Sequence, residues 1–146
     1  MSEGESENTE AVRLVQATSR FVRVAGHLPE LRFSTVAWRT LAALERGGGA
    51  RVSGIAKQQR ITQPSATSLV NRLAGEGWVE RTPDPADGRA ALVTITAAGS
   101  RALADYRGDV AARLEPLIRS LSDADRAALA AATGVIDRLA ASLEAP

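Results

Sequence analysis

The sequence predicts a mainly α-helical fold: six helices, with one small β-hairpin between the fourth and the fifth. Three observations carry that prediction. Apolar residues recur three and four apart in separate stretches, the spacing of helices that bury one face. After the fourth stretch the pattern changes to two β-rich runs, residues 78–81 (WVER) and 91–95 (ALVTI), joined by TPDPADGRA. Alanine is abundant while aromatic residues make up only 3% of the chain, a composition suited to closely packed helices.

The elements follow in order. Residues 1–8 are acidic and polar, and disorder is expected there. From Thr9 onward Leu14, Val15, Phe21, Val22 and Ala25 lie at helical spacing, until Gly26 and Pro29 break the helix. Ser34 is placed to cap a second helix, which turns Val36, Ala37, Leu41 and Leu44 inward and ends at Gly47-Gly48-Gly49. Ser53 is placed to cap a short third helix. A turn at Arg60-Ile61 leads to the fourth, with Thr62 as its cap and Pro64 in its first turn, where a missing N–H costs nothing. Leu69, Val70 and Leu73 face inward, and the helix stops near Gly75-Glu76-Gly77. Beyond the hairpin, Thr96 can cap a fifth helix carrying Leu103, Tyr106, Val110, Leu114, Leu117 and Leu121. Pro116 lies inside it and is expected to weaken it. Ser122 to Asp125 reads as a capping box for a last helix with Leu129, Ala132, Ile136, Leu139 and Leu143.

Composition excludes several kinds of chemistry. The 146 residues contain no cysteine, which removes disulfides, thiol catalysis and cysteine-ligated metals. His27 is the only histidine, and no nucleophile constellation, metal-ligand spacing or glycine-rich phosphate loop accompanies it. No catalytic residue, cofactor or metal is therefore assigned, and the chain is not read as an enzyme. Apolar runs are short and broken by charges, and residues 1–10 lack the pattern of a signal peptide. A cytoplasmic protein with no membrane partner is expected.

Charge is segregated locally. The net charge is only +1, yet no acid occurs between Glu45 and Glu76, where Arg46, Arg51, Lys57, Arg60 and Arg72 stand. That stretch covers two short helices joined by a tight turn, the layout of a helix-turn-helix. The second of them opens with QPSATSLVNR. Gln63, Ser65, Thr67, Ser68 and Asn71 are small or medium polar residues on its outer face, able to hydrogen-bond base edges and phosphates. Arg51, Lys57, Arg60 and Arg72 suit phosphate contacts, which add affinity and salt dependence. Double-stranded DNA is the partner this pattern predicts. Phe21, His27, Trp38 and Tyr106 are candidates for a small-ligand pocket, although plain core packing explains each of them as well.

Two segments, GIAKQQRITQPSATSLVNRLAGEGWVER and DPADGRAALVTITAAG, resemble the MarR family of winged helix-turn-helix transcription regulators. The ordered elements are Leu73, Gly77, Arg81, Asp84-Pro85, Asp87-Gly88-Arg89, Ile95-Thr96 and Gly99. The resemblance implies an α/β winged helix-turn-helix at residues 31–96, and a helical dimerisation region at 9–30 and 97–146. It implies a homodimeric regulator, with repression as the expected mode, on a pseudo-palindromic operator. By the same resemblance Gln63, Pro64, Ser65, Thr67, Ser68, Asn71 and Arg72 match the recognition helix. Arg89 matches the wing arginine that enters the minor groove, and Asp87 the acid that orients it, expected to act through a charge-assisted hydrogen bond. Leu14, Val110, Leu117, Leu121, Leu129, Ile136 and Leu139 fall on the helices that form the family's dimer interface. Relatives often release DNA on binding a small aromatic or phenolic effector.

Two positions depart from the family pattern. Ser68 stands where arginine is frequent, which removes a potential guanine or phosphate contact. Gly88 stands where a second wing arginine is frequent, which leaves Arg89 as the charge at the tip. The rival reading is a winged-helix protein-interaction module that does not read DNA.

Overall fold

In the computed structural model, residues 3–26 and 33–144 are described. The element order is α1 (Glu3–Ala25), α2 (Thr35–Gly47), α3 (Val52–Gln59), α4 (Gln63–Gly75), β1 (Val79–Asp84), β2 (Asp87–Ile95), α5 (Ala97–Arg119) and α6 (Asp123–Glu144). The six helices and one antiparallel hairpin are those the sequence predicts. The backbone is helical from Glu3, inside the stretch expected to be disordered, with no proline between Glu3 and Ala25 to interrupt it.

The chain falls into two compact units, residues 1–110 and residues 111–146. The first holds a core built from one face of each element. Ala37, Leu41 and Leu44 come from α2, Ile55 and Ala56 from α3, Ala66, Leu69, Val70 and Leu73 from α4, and Val79 and Val93 from the hairpin. Leu103 of α5 is fully buried in the same core. The first turns of α5 thus pack with the hairpin module. Gly99 makes the approach possible, because a Cβ there would run into the Trp78 carbonyl.

Local signals set most element ends. Thr62 caps α4, its hydroxyl oxygen accepting from Ser65 N–H at 3.3 Å, and Pro64 sits in the first turn. Thr96 caps α5 by accepting from Gly99 N–H at 3.1 Å, and it donates to the Gly77 carbonyl at 2.6 Å. Ser34 occupies the cap position of α2 without a side-chain cap bond. One expected cap is wrong: α3 starts at Val52, with Arg51 rather than Ser53 at its cap position. The cause lies in tertiary structure. Ala50 exchanges both backbone hydrogen bonds with Val93 of β2, at 3.0 and 2.8 Å. That bridge holds the chain extended up to Arg51, and the helix begins immediately after it.

The hairpin is longer than the two β-rich runs. Pro83 pairs opposite Ala91 within β1, and only Pro85 and Ala86 form the turn. The register slips between Pro83 and Asp84, so Gly88, Arg89 and Ala90 have no partner across the ladder.

The second unit contains the end of α5 and all of α6. α5 passes through Pro116 and ends at Arg119. Ser122 and Asp125 form the expected capping box: Asp125 N–H donates to Ser122 Oγ at 3.1 Å, and that hydroxyl donates to the Asp125 carboxylate at 2.7 Å. Arg126 donates to the Arg119 and Leu121 carbonyls and pairs with Asp123. None of the described residues of this unit is buried; Leu117, Leu121, Leu129, Ile136 and Leu139 are all exposed. In the first unit Leu14 is exposed and Val110 half-buried.

Candidate nucleic-acid interface

The helix-turn-helix is α3 and α4, joined through Arg60. Arg60 adopts the left-handed conformation, with φ 55°, and terminates α3. Its N–H bonds the Lys57 carbonyl at 3.3 Å, and the next N–H, from Ile61, returns to Ala56 at 3.0 Å. The chain thus reverses within two residues, and α4 starts at Gln63.

α4 is sharply two-sided. Ala66, Leu69, Val70 and Leu73 are buried, while Gln63, Pro64, Ser65, Thr67, Ser68, Asn71 and Arg72 are all exposed. Six of these, all but Ser65, line one open concavity on the outer face. Their hydrogen bonds determine what each can still offer. Thr67 donates its hydroxyl to the Gln63 carbonyl at 3.0 Å, leaving oxygen and methyl outward. Ser65 accepts from Thr62 at 2.8 Å and keeps its own proton to donate. Asn71 Oδ1 accepts from Arg81 Nη2 at 2.8 Å. Arg72 lies over the Phe33 ring, 5.0 Å from its centroid, a cation–π contact that steadies the guanidinium.

The wing is anchored rather than loose. Arg51 Nε donates to Asp84 Oδ2 at 2.7 Å, and its Nη2 lies 2.6 Å from the same oxygen. Asp84 is buried, and its other oxygen accepts from the Ala86 N–H at 2.8 Å. That backbone donor, followed by Arg51, holds the Asp84 carboxyl below the ordinary carboxylate range. Arg51, expected among the phosphate contacts, is therefore engaged in an internal ion pair. In the sequence Asp84 stands out only as part of the Asp84-Pro85 element; nothing local marks its partner, which stands 33 residues earlier.

Asp87 also differs from expectation. Its Oδ1 accepts from the backbone N–H of Arg89 at 3.1 Å, not from the guanidinium, and Oδ2 lies 3.9 Å from Arg51. Asp87 shapes the backbone at the tip, and the Arg89 side chain is left exposed with no ion pair among the described residues. Lys57 and Arg60 are likewise exposed on α3 and its turn.

The aromatic candidates separate. Trp38 and Tyr106 stack with ring centroids 4.5 Å apart and planes within 3°. Trp78, 5.3 Å from Trp38, and Phe33, 4.7 Å from Trp78, extend the cluster. Phe21 is exposed on α1 and makes no ring contact among the described residues. His27 lies outside the described residues. Trp38 is buried, and among the described residues its Nε1 has no hydrogen-bond partner.

Among the described residues no group of histidines or carboxylates is arranged to hold a metal, and no helix is long and apolar enough to cross a membrane.

Comparison with known proteins fits this geometry. The profile of the MarR family matches residues 33–90, which span α2 to the wing. An HTH-type transcriptional regulator of Mycobacterium bovis is 32% identical over 101 residues, covering 66% of this chain and 71% of that protein. The transcriptional activatory protein BadR of Rhodopseudomonas palustris is 33% identical over 69 residues, 45% of this chain and 39% of its own length. Among solved structures, a transcriptional regulator of Thermotoga maritima superposes with a TM-score of 0.71 at 23% identity, over 91% of this chain and 98% of that one. Wild-type MarR of E. coli superposes with a TM-score of 0.66 at 23% identity, over 85% and 94%. At such identities these two structures establish the fold alone. With the exposed polar face of α4, the tethered wing and the sequence relatives together, the chain belongs to the MarR family of winged helix-turn-helix transcriptional regulators.

Proposed function

We propose that this regulator binds a pseudo-palindromic double-stranded DNA operator as a homodimer, one recognition helix to each half-site. The observation that carries the reading is α4, whose buried apolar face supports an outer face of exposed polar residues, in a module that also exposes Lys57, Arg60 and Arg89. Dimerisation is supported by the exposure of Leu14 in one unit and of Leu117, Leu121, Leu129, Ile136 and Leu139 in the other, apolar surface that a second copy would cover. A two-fold dimer places its half-sites about 10 base pairs apart, centre to centre. The reading puts the protein in the cytoplasm with its DNA. Footprinting on the DNA next to its own gene, with salt varied, tests it. Two protected half-sites and a steep loss of affinity with salt are expected; no protection at any salt would leave the winged fold as a protein-interaction module. Light scattering that shows a monomer at micromolar concentration would remove the dimer.

Repression by occupying the operator is the expected mode. The relative BadR is named an activatory protein, and a reporter driven from the operator reads the sign directly.

Release by a small aromatic or phenolic effector is the second part of the reading. It is supported by the buried Trp38 Nε1, a donor without an acceptor among the described residues, within the Trp38–Tyr106 stack. A planar ligand carrying an oxygen acceptor satisfies both features. Titration with phenolic compounds should quench tryptophan fluorescence and release DNA together. DNA binding unchanged across the series would sink this part.

A further inference from the structure

Asn71 stands in the outer stripe of α4, where an amide side chain has two faces to offer. Its carbonyl accepts hydrogen bonds and its NH₂ donates them, and a free amide exchanges the two by rotating about its last torsion. In this protein a hydrogen bond favours one of the two orientations. Arg81, at the base of the wing on β1, donates through Nη2 to Asn71 Oδ1 at 2.8 Å. A guanidinium has only donors, so it holds the carbonyl end and rejects the NH₂ end. The nitrogen of Asn71 has no partner among the described residues, and the residue lines the open concavity with Gln63, Thr67 and Ser68.

We infer that Arg81 is a positioning residue that sets base specificity: by holding the Asn71 carbonyl it makes the free end of Asn71 a hydrogen-bond donor. The inference rests on the DNA-reading function proposed above. A donor in the major groove selects acceptors, which are N7 and O6 of guanine, N7 of adenine and O4 of thymine; cytosine presents only its N4 donor there. The base facing Asn71 is thus discriminated against cytosine. A good bidentate side-chain–base pair separates right from wrong bases by about fivefold to a hundredfold, so the donor of Asn71 alone should discriminate near the lower end, about fivefold. This wing residue acts on the code without touching a base.

The test is selection of duplexes from a randomised pool by the full chain, comparing wild type with Arg81→Ala, Asn71→Ala, the double variant and Asn71→Asp. Wild type should exclude cytosine at one symmetric pair of positions. Asn71→Ala should relax that pair of positions alone, Arg81→Ala should relax the same pair, and the double variant should add nothing further. Asn71→Asp retains a partner for Arg81 but offers only acceptors, so it should turn the preference towards cytosine N4 or adenine N6. Arg81→Met keeps the apolar stem on the strand and removes the donor, so it should relax the same pair even where Arg81→Ala folds poorly. Weaker binding by Arg81→Ala with every base preference retained would overturn the inference and make Arg81 a backbone contact only. An Asn71→Asp preference identical to that of wild type would overturn it equally. If wild type selects no sequence at all, the DNA-reading function itself fails, an outcome distinct from either.

Discussion

Arg51 and Asp84 form the ion pair that ties the wing to the helix-turn-helix, Nη2 to Oδ2 at 2.6 Å, with Asp84 buried and Arg51 half exposed. The pair joins the residue before α3 to the last residue of β1, and beside it Ala50 bridges to Val93. Together they tie both strands of the hairpin to the segment that leads into α3. Arg51→Ala and Asp84→Asn should each weaken operator binding severalfold with helical content unchanged. A lysine at position 51 should restore part of it, because charge is kept while the two-nitrogen contact is lost. Circular dichroism and an operator titration check this; unchanged affinity in both variants would show that the pair does not place the wing.

The same pair has a defined pH dependence. The Asp84 carboxyl is held below its ordinary value, so its contribution to stability is complete above the unfolded pKa of about 3.9 and disappears as pH falls through the lower folded value. The difference in Tm between wild type and Asp84→Asn should therefore be constant from neutral pH to about pH 5 and shrink only in stronger acid. A difference that vanished between pH 7 and 5 would contradict the assignment.

Arg89 is the exposed cation at the tip, in the unpaired part of the ladder. Arg89→Ala should leave the unfolding midpoint unchanged and weaken operator binding severalfold or more, with the salt slope reduced by about one. Because Asp87 meets Arg89 only at its backbone N–H, Asp87→Asn, whose side-chain oxygen can still accept that N–H, should cost less than Arg89→Ala. A titration series in salt reads both.

Arg60 separates folding from binding. An L-residue at φ 55° is strained, and glycine relieves that strain while adding chain entropy to the unfolded state. Arg60→Gly should keep the unfolding free energy within about 1 kcal/mol of wild type, as urea denaturation would measure. Operator affinity should fall through loss of a phosphate contact. Full affinity would remove Arg60 from the interface.

Gly99 admits no side chain. A Cβ there meets the Trp78 carbonyl, and the backbone cannot step aside without losing the Thr96 N–H bond to the same carbonyl at 3.0 Å. Gly99→Ala should destabilise the protein by about 3 kcal/mol, seen as a lower urea midpoint.

Periodicity, caps and the break at 82–90 determined by themselves that this chain makes six helices and a hairpin, and that α4 turns Gln63, Ser65, Thr67, Ser68 and Asn71 outward. Those features are local: a helix face, a cap at Thr62 or a capping box at Ser122 depends on residues a few positions apart. Local pattern likewise revealed the acid-free stretch. Only the tertiary structure decided which cations remain available and which are used internally. Arg51 looks like Lys57 or Arg60 in the sequence, but folding carries Asp84 to it across 33 residues, and a buried carboxylate needs that partner. Arg81 reads as a strand end, yet folding brings it to Asn71 on another element. The start of α3 belongs to the same class, since the bridge of Ala50 to Val93 overrides the cap propensity of Ser53. Sequence spacing carries the period of a helix or strand, whereas pairing between distant segments depends on how their faces pack, and that packing decided how the wing is held.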